Sequence, residues 1–369
     1  MKPFEPEPLP VQSVNWQQII PLIGRANRAL AGYEGVLYGV PNPDVLLSPL
    51  TTQEAVLSSR IEGTQAELED VYKFEAGEVA PNKERSADIQ EIINYRRALR
   101  RAEQLLKDKP LCLNTLLDLH STLLDSVRGH NKSRGHFRTT QNWIGPEGTP
   151  IEQAKFVPPA PLRLTEHLDN WEKYYHAEEQ DLLVQLALLH AQFEIIHPFI
   201  DGNGRIGRML IPLFLYEKKL LTRPNFYLSA YLEANRDEYV ERLRDLGQPA
   251  SWTRWVTFFL TALDAQAQAN SAQAKAIQDL YERLKRQIID LTRSQYAVPM
   301  LDRLFVQPVF RSSDLTARKD MPSIPMVMVM LKSLKQAGVL KVIREGSGRR
   351  AQVLALTELI NLCEGRKVF

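Results

Sequence analysis

The chain has 369 residues, which is too long for one compact core and predicts two or three domains. Its 46 basic and 44 acidic residues nearly balance, so the charge gives no reason to expect bulk binding to nucleic acid or membranes. The two cysteines lie far apart and argue against a disulfide framework or a zinc knuckle. We find no secretory signal and no apolar segment of membrane-spanning length, and therefore expect a cytoplasmic protein.

Apolar spacing and helix breakers predict a mainly α fold with one early hairpin. After an extended tail over residues 1–15, helices are expected at 16–36, about 51–75, about 86–107, 112–127, 162–176, 181–196, 204–219, 233–246 and 251–268. Thr51 or Thr52 is the expected N-cap of the second helix, which Gly63 could interrupt. The stretch 135–159 combines glycine, proline and β-favouring residues, which is typical of a hairpin.

From about residue 270 the composition changes, and an Ala/Gln-rich stretch predicts a connecting helix to about residue 292. The block after it resembles a winged helix, with a short helix capped by Ser312 or Ser313. A second helix is expected to end at Gly338, followed by two strands around a Gly-Ser-Gly turn. The basic residues that suggest DNA binding through residues 285–369 are Arg311, Arg318, Lys319, Lys332, Lys335, Arg344, Arg349 and Arg350.

The most informative segment is HPFIDGNGRIGRML, which begins at His197. Pro198 disfavours helical geometry at His197, so the preceding helix should end there. Gly202 and Gly204 allow a sharp turn and a close approach of the backbone to a ligand. The next helix is expected to begin near Asn203, where its N–H groups and dipole would bind an anion.

The charged side chains of this segment complete a site for phosphate transfer. Arg205 and Arg208 lie three apart on one helix face, so both can reach the same phosphates. Asp201 offers a hard oxygen ligand for Mg²⁺, and His197 is the natural general base for an incoming hydroxyl. No P-loop sequence is present. The alternative is a capped turn with a packed histidine and solvated arginines, but six compatible positions in twelve residues favour the site.

The segment resembles the Fic family motif, HxFx[D/E]GNGRxxR, at all eight fixed positions. These positions are His197, Phe199, Asp201, Gly202, Asn203, Gly204, Arg205 and Arg208. The resemblance implies a helical core that transfers AMP from ATP, with Mg²⁺, to a Ser, Thr or Tyr hydroxyl of a protein. It implies that His197 is the base and that Asp201 holds the metal. Arg205 would orient the phosphates and Arg208 would bind the γ-phosphate.

The same resemblance extends to other parts of a nucleotide site. It implies that the backbone of the GNG turn, with Ile206 and Gly207 after it, lies along the phosphates. GHFRTTQNWIG followed by FVPP resembles the Fic β-hairpin flap, which aligns a target segment as an added strand. YLEANRDEYVERL resembles the helix that closes the nucleotide site. Its Asn235 matches an asparagine that often contacts the nucleotide, although a helix cap is the competing interpretation.

An inhibitory motif is the second feature that the resemblance suggests. SSRIEG resembles [S/T]xxxE[G/N], with Ser58, Glu62 and Gly63 at the fixed positions. A carboxylate paired with Arg208 would occupy that arginine and repel the γ-phosphate, so ATP would bind unproductively. The alternative is a solvated glutamate on an amphipathic helix.

These interpretations predict three parts and leave other functions open. The parts are an N-terminal helical region at 1–110 with its inhibitory helix at about 51–75, a Fic core at 111–268, and a linker helix with a winged-helix-like domain at 269–369. Expected partners are a protein with a target hydroxyl, which could be the chain itself, and a second copy of the chain. The alternatives are a DNA-binding regulator with secondary Fic activity, an enzyme that removes AMP, and a metallohydrolase using His190, His197 and Asp201.

Overall fold

The computed structural model describes residues 2–125, 133–145, 148–348 and 350–368, which form a mainly helical fold. The α-helices in these residues are α1 Trp16–Tyr38, α2 Pro43–Leu46, α3 Ser48–Ile61, α4 Leu68–Glu75, α5 Lys83–Leu105, α6 Leu113–Leu123, α7 Leu164–His176, α8 Leu182–Ile196, α9 Asn203–Glu217, α10 Ser229–Ala234, α11 Arg236–Arg244, α12 Ser251–Thr292, α13 Ala297–Val306, α14 Ser312–Thr316, α15 Ile324–Gln336 and α16 Thr357–Glu364. The strands are β1 Val309–Arg311, β2 Lys341–Arg344 and β3 Val353–Ala355. The predicted mainly α fold is confirmed.

The chain divides into two compact units, each assembled from separate segments. The first unit contains residues 1–34, 57–64 and 94–268, and the second contains residues 35–56, 65–93 and 269–369. All of the predicted site residues fall in the first unit. Within the described chain, no helix is both long enough and apolar enough to cross a membrane.

The core of the first unit is built around α8 and α9. The α8 sequence is apolar on nearly every face, which is typical of a helix surrounded by protein. It packs against α7, α9 and α11, while α6 packs against α9. The N-terminus of α8 is capped by Asp181, whose carboxylate accepts hydrogen bonds from the N–H groups of Leu183 and Val184 at 2.9 and 3.0 Å. The C-terminus of α8 leads directly into the loop that begins at His197.

The second unit contains a three-stranded antiparallel sheet with strand order β1-β3-β2. In its register, Val309 and Lys341 both pair with Ala355 from opposite sides. The chain order is α13, β1, α14, α15, β2 and β3. Within this unit α4 packs against β1 and α16, and α2 packs against α13.

Two helix starts differ from the sequence predictions. Helix α3 begins at Ser48, so Thr51 and Thr52 lie inside it and do not cap it. Their hydroxyls donate to the carbonyls of Leu47 and Ser48, four residues back, as hydroxyl residues within helices do. In α14, Ser312 and Ser313 are the first two helical residues, so the predicted caps there are also wrong.

Other element boundaries also differ. The helix predicted at about 51–75 is two helices, α3 and α4, because the chain turns at Gly63 with φ of 102°. The helix predicted at 251–268 and the connecting helix form the single α12. In the hairpin predicted at 135–159, one bridge joins Ile144 to Phe156. Positions 146–147 of that hairpin and position 349 of the basic set lie outside the described residues.

Candidate active site

His197 stands at the C-terminus of α8 in a left-handed conformation with φ of 50°. Its N–H donates to the carbonyl of Phe193 at 3.0 Å, which closes the helix. Its ring Nδ1 lies 3.2 Å from the carbonyl oxygen of Glu194. Because a carbonyl only accepts, Nδ1 carries the hydrogen and Nε2 keeps the lone pair. The half-buried ring is therefore oriented to accept a proton on Nε2.

The turn after His197 is closed by a pair of hydrogen bonds between Asn203 and Phe199. The Asn203 side chain accepts from the N–H of Phe199 and donates to its carbonyl, both at 2.8 Å. Gly202, at φ of 82°, provides the left-handed residue that this turn needs. Helix α9 then begins at Asn203, where the sequence predicts a helix start. The anion site at this helix N-terminus stays a prediction.

Arg205 and Asp201 form an ion pair in the first turn of α9. Nη2 of Arg205 donates to Oδ1 of Asp201 at 3.0 Å, and the Asp201 side chain is 27% exposed. The described residues contain no group of three His, Cys, Asp or Glu side chains arranged as a metal site. One accessible carboxylate still fits Mg²⁺, because this ion typically takes one or two carboxylates together with phosphate oxygens and water. The role of Asp201 as a ligand for Mg²⁺ bound to a nucleotide stays a prediction.

Arg208 is almost fully buried and bound to the end of α3. Its Nε donates to Oγ of Ser58 at 3.0 Å, and its Nη2 donates to the Ser58 carbonyl at 2.9 Å. Nη2 also donates to Oε1 of Glu62 at 2.6 Å, the length of a strong charge-assisted bond. Burial opposes ionisation of both groups, but Arg208 holds the pKa of Glu62 below its usual value and Glu62 raises the pKa of Arg208. Both partners therefore carry their charges.

The Glu62 carboxylate also lies directly against the N-terminus of α9. A Cβ built on Gly204 would overlap Oε1 of Glu62 and would approach Nη1 of Arg208 to 2.7 Å. Glycine at this position is thus required by the close approach of a carboxylate. An anionic group from the chain itself occupies the region where the sequence predicts that phosphates bind. Gly63 follows at the turn that presents Glu62.

Comparison with known proteins places these features in a family. The model of the Fic/DOC family N-terminal region matches residues 20–104, and the model of the Fic/DOC family matches residues 110–215. Together the two segments make up more than half of the chain. The chain belongs to the Fic family.

Known Fic proteins resemble this chain at low identity. A probable protein adenylyltransferase of Aquifex aeolicus is 27% identical over 213 residues, which are 55% of this chain and 57% of that protein. Protein adenylyltransferase Fic-1 of Caenorhabditis briggsae is 28% identical over 172 residues, which are 43% of this chain and 32% of that protein. The chain therefore spans less than two thirds of the length of each of these relatives.

Two solved structures share the fold. A Fic family protein of Desulfovibrio desulfuricans has a TM-score of 0.58 at 19% identity, and the match covers 96% of this chain and 98% of that one. Fic-1 of Caenorhabditis elegans has a TM-score of 0.53 at 20% identity, covering 72% of this chain and 75% of that one. At these identities the likeness is evidence for the fold alone.

Two further predicted site residues of this Fic protein, Ile206 and Asn235, lie on α9 and at the start of α11. Ile206 is fully buried, and its N–H donates to the carbonyl of Gly202 at 3.0 Å. Asn235 lies between α10 and α11, where its side chain donates to the carbonyl of Tyr231 at 2.9 Å. Its side chain makes no cap hydrogen bond to α11. The next residue, Arg236, donates to the carbonyl of Ile61 at 3.1 Å, so Asn235 is close to the end of α3.

His120 on α6 lies outside the motifs recognised in the sequence and contacts Asp201, Gly135 and Phe199. Its Nε2–H donates to the carbonyl of Asp201 and its Nδ1 accepts from the N–H of Gly135, both at 3.0 Å. Its ring stacks on Phe199 with centroids 3.8 Å apart. Burial lowers the pKa of His120 to about 4, so the neutral ring keeps this pattern of one donor and one acceptor.

Arg138 and Asn142 also support the loop and were not singled out in the sequence. The Nε of Arg138 donates to the carbonyl of His197 at 2.9 Å, and its backbone N–H donates to the carbonyl of Pro198 at 2.9 Å. The side chain of Asn142 donates to the carbonyl of Phe199 at 3.0 Å. The flap segment is therefore tied to the catalytic loop. The sequence did offer a signal for Arg138, because it is a charged residue inside a strand-like pattern and such a residue is rarely buried without a specific partner.

We expect the His197 imidazole to remain neutral from pH 8 to about pH 5. Burial lowers its pKa to about 4, outweighing the hydrogen bond to Glu194 and the negative charge of Glu62, which raise it. Titration of the histidine ring ¹⁵N resonances by NMR would measure this, with the His197→Ala variant identifying the signal. A midpoint near pH 6.5 for that signal would contradict the expectation. A neutral ring at physiological pH is the form that a general base needs.

Proposed function

We propose that this Fic protein transfers AMP from ATP to a hydroxyl group of a protein, and that Glu62 keeps it inactive at rest. The observation that carries the proposal is the 2.6 Å bond between Glu62 and the buried Arg208 at the N-terminus of α9. The names of the relatives, which are protein adenylyltransferases, support the reaction. The match to the full family motif supports AMP as the group transferred.

The geometry supports an in-line attack assisted by His197. Its Nε2 would take the proton from the target hydroxyl, whose oxygen forms a bond to the α-phosphorus of ATP. The bond between the α-phosphorus and the oxygen bridging to the β-phosphate breaks, and diphosphate leaves. The N–H groups at the start of α9 and the guanidinium of Arg205 would stabilise the charge on the phosphates. The roles of Gly202, Asn203 and Gly204 are those of the backbone around this anion site.

Mg²⁺ would be held by Asp201 together with the phosphates, where it neutralises charge on the leaving group. Arg205, paired with Asp201 at 3.0 Å, orients that carboxylate. Asn235 is proposed to contact the nucleotide from the junction of α10 and α11. In this proposal the two arginines and the N-terminus of α9 would bind the phosphates of ATP, and Asp201 would hold them through Mg²⁺.

The proposed inhibition follows from the hydrogen bonds that Arg208 already makes within the chain. Its Nε and Nη2 are bound to Ser58 and Glu62, so the γ-phosphate has to displace Glu62 to reach them. The carboxylate beside Gly204 would also repel that phosphate at short range. ATP would therefore bind with its phosphates out of line for attack. The second reaction that this carboxylate allows is the removal of AMP, with Glu62 orienting a water molecule.

Mass spectrometry of protein incubated with ATP and Mg²⁺ tests the proposal. Glu62→Gly protein should gain AMP on a hydroxyl residue of its own or of an added target, and the double variant Glu62→Gly/His197→Ala should gain none. Incubation with UTP separates AMP transfer from UMP transfer. A covalent phosphate without a nucleoside would overturn the proposed reaction. If modified protein loses its AMP only when Glu62 is present, the protein also catalyses the removal of AMP.

We further propose that residues 269–369 form a linker helix and a winged helix that contacts protein instead of DNA. The order α13, β1, α14, α15, β2 and β3 supports the winged-helix assignment. Large apolar side chains are exposed on the first two turns of α15, at Ile324, Met326, Met328 and Val329, and Lys332 is exposed on the next turn. Apolar side chains there do not neutralise phosphates, which provide most of the affinity for DNA. The parts 1–110 and 111–268 remain our proposed boundaries for the inhibitory region and the Fic core.

Ion pairs within the described residues also reduce the charge available to DNA. Arg318 is bound to Asp320 at 2.7 Å, and Arg344 is bound to Glu78 at 2.8 Å. We therefore expect no shift of duplex DNA by the full chain in a gel-shift assay at low salt. A shift that weakens steeply as salt increases would instead support the DNA-binding alternative. Cys112 and Cys363 are both free thiols, which is consistent with the cytoplasmic location that we propose.

A further inference from the structure

The N-terminal segment, residues 2–15, is bound to the first compact unit through its main chain. Asn170 on α7 accepts from the N–H of Leu9 at 2.8 Å and donates to the Leu9 carbonyl at 2.9 Å. Gln192 on α8, which is buried, donates to the carbonyl of Glu7 at 3.0 Å. Because these bonds go to main-chain groups, they hold the path of the segment and not only its side chains.

The beginning of this segment contacts the flap, the hairpin in which Ile144 pairs with Phe156. The N–H of Phe4 donates to the carbonyl of Val157 at 2.9 Å. The Phe4 ring lies against the ring of Phe156, with 5.5 Å between centroids. On its other side, a Cβ built on Gly247 would approach Cε2 of Phe4 to 2.9 Å. The ring is therefore packed between the flap and the turn before α12.

The hydrogen bond from Phe4 lies on the outer edge of the flap. Ile144 and Phe156 exchange two main-chain hydrogen bonds, at 2.8 and 3.2 Å. In an antiparallel pair the main-chain groups of the next residue point to the opposite side, so the Val157 carbonyl faces away from Ile144. Such an edge can pair with another strand. Here it pairs with Phe4.

The inner strand of the flap is connected to the catalytic loop. Asn142, two residues before Ile144, donates to the carbonyl of Phe199 at 3.0 Å. The flap is thus held from two sides, by the loop that follows His197 and by the N-terminal segment. If the outer contact were lost, the flap could shift, and a target segment aligned on it would change its distance from His197.

We propose that the N-terminal segment is a strap that fixes the flap for the target protein, with Phe4 as its positioning residue. This inference rests on the proposed function, since it takes the flap as the element that aligns a target hydroxyl. Phe4 acts through Phe156 and Val157 and not on the reacting atoms. Its loss should therefore lower AMP transfer and leave ATP binding unchanged.

Deletion of residues 2–8 in Glu62→Gly protein tests the strap. The deletion removes Phe4 but no Ser, Thr or Tyr, so no acceptor hydroxyl is lost. Hydrogen exchange at the amides of Ile144 and Phe156 should become about two- to tenfold faster, the range expected for one lost neutral hydrogen bond. Labelling of the protein by α-labelled ATP should fall about 10- to 100-fold, as for a misplaced acceptor. The affinity for ATP, measured by isothermal titration, should stay the same.

Asn170→Ala tests whether the whole segment acts as the strap. This variant keeps Phe4 and releases the main chain at Leu9, five residues further along. We expect faster exchange at Ile144 and Phe156 here as well, with weaker labelling and unchanged ATP affinity. Normal exchange and labelling in Asn170→Ala protein would limit the strap to the residues around Phe4 and overturn the role of the longer segment.

Glu5→Gln is the matched control within the segment. The Glu5 carboxylate is exposed and lies 3.8 Å from Arg163 and 3.5 Å from His167, at a distance typical of weak surface ion pairs. Its main chain is unchanged, so exchange in the flap and labelling should equal those of Glu62→Gly protein. A loss in Glu5→Gln as large as in the deletion would assign the effect to charge and overturn the proposed role of Phe4.

The remaining outcomes separate the strap from the proposed function. Unchanged exchange in the flap after deletion of residues 2–8 shows that the segment does not hold the flap. Faster exchange with unchanged labelling shows that the flap position does not control transfer. A loss of ATP affinity with a lower temperature of unfolding shows a general structural role. If Glu62→Gly protein gains no AMP, the proposed function fails, and the exchange measurement still decides whether the segment holds the flap.

Discussion

Replacing His197 by alanine in protein that already carries Glu62→Gly should lower the rate of AMP transfer by about 10²- to 10⁴-fold. This is the usual contribution of a general base, and a neutral Nε2 oriented by the Nδ1–H bond to Glu194 is the base that we assign. The rate would be measured from the incorporation of ATP labelled at the α-phosphate.

The change should leave nucleotide binding nearly intact, because His197 acts on the target hydroxyl. Titration of ATP into Glu62→Gly and Glu62→Gly/His197→Ala protein would check this. His120→Ala is a useful comparison, because His120 supports the carbonyl of Asp201 and lies in the same site. A His197→Ala variant that transfers AMP within about tenfold of its parent would rule out the assigned base.

Removing the Glu62 carboxylate should raise AMP transfer by about 10- to 100-fold. That range corresponds to the roughly 1.5–3 kcal/mol of a hydrogen bond between charged groups, which the γ-phosphate no longer has to break. Glu62→Gly also frees the space beside Gly204 that the carboxylate occupies. Incorporation of α-labelled nucleotide into the protein and into added targets would measure the gain.

The Glu62→Gln variant distinguishes two causes of inhibition, which are repulsion of the γ-phosphate by the negative charge and occupation of Arg208 by the side chain. Its amide has nearly the same shape and can still accept from Arg208, but it does not repel a phosphate. We expect its activity to lie between those of wild type and Glu62→Gly. Equal labelling of all three proteins would contradict the inhibitory role of Glu62. Glu62→Gln activity equal to that of Glu62→Gly would show that charge repulsion alone is responsible.

Much of the fold followed from local sequence. The apolar spacing in α7, α8 and α9 predicted each helix to within two residues at its ends, because neighbours one turn apart share a face. The predictions of helix N-caps for α3 and α14 were wrong. Thr51, Thr52, Ser312 and Ser313 are all suitable caps by residue type, yet each lies inside a helix. In α14 the cap is instead formed by Asp314, whose carboxylate accepts from the N–H of Arg311, the residue before the helix.

In the candidate site too, some features follow from local sequence and others depend on tertiary packing. The sequence by itself determined the chemistry of the loop, since His197, Gly202 and Arg205 lie within one turn and one helix start. Only the tertiary structure decided what surrounds that loop. Glu62 is 146 residues from Arg208 in sequence, so this neighbour does not follow from local spacing. Contacts between such distant residues depend on how the helices pack, and packing placed a carboxylate at the predicted phosphate site.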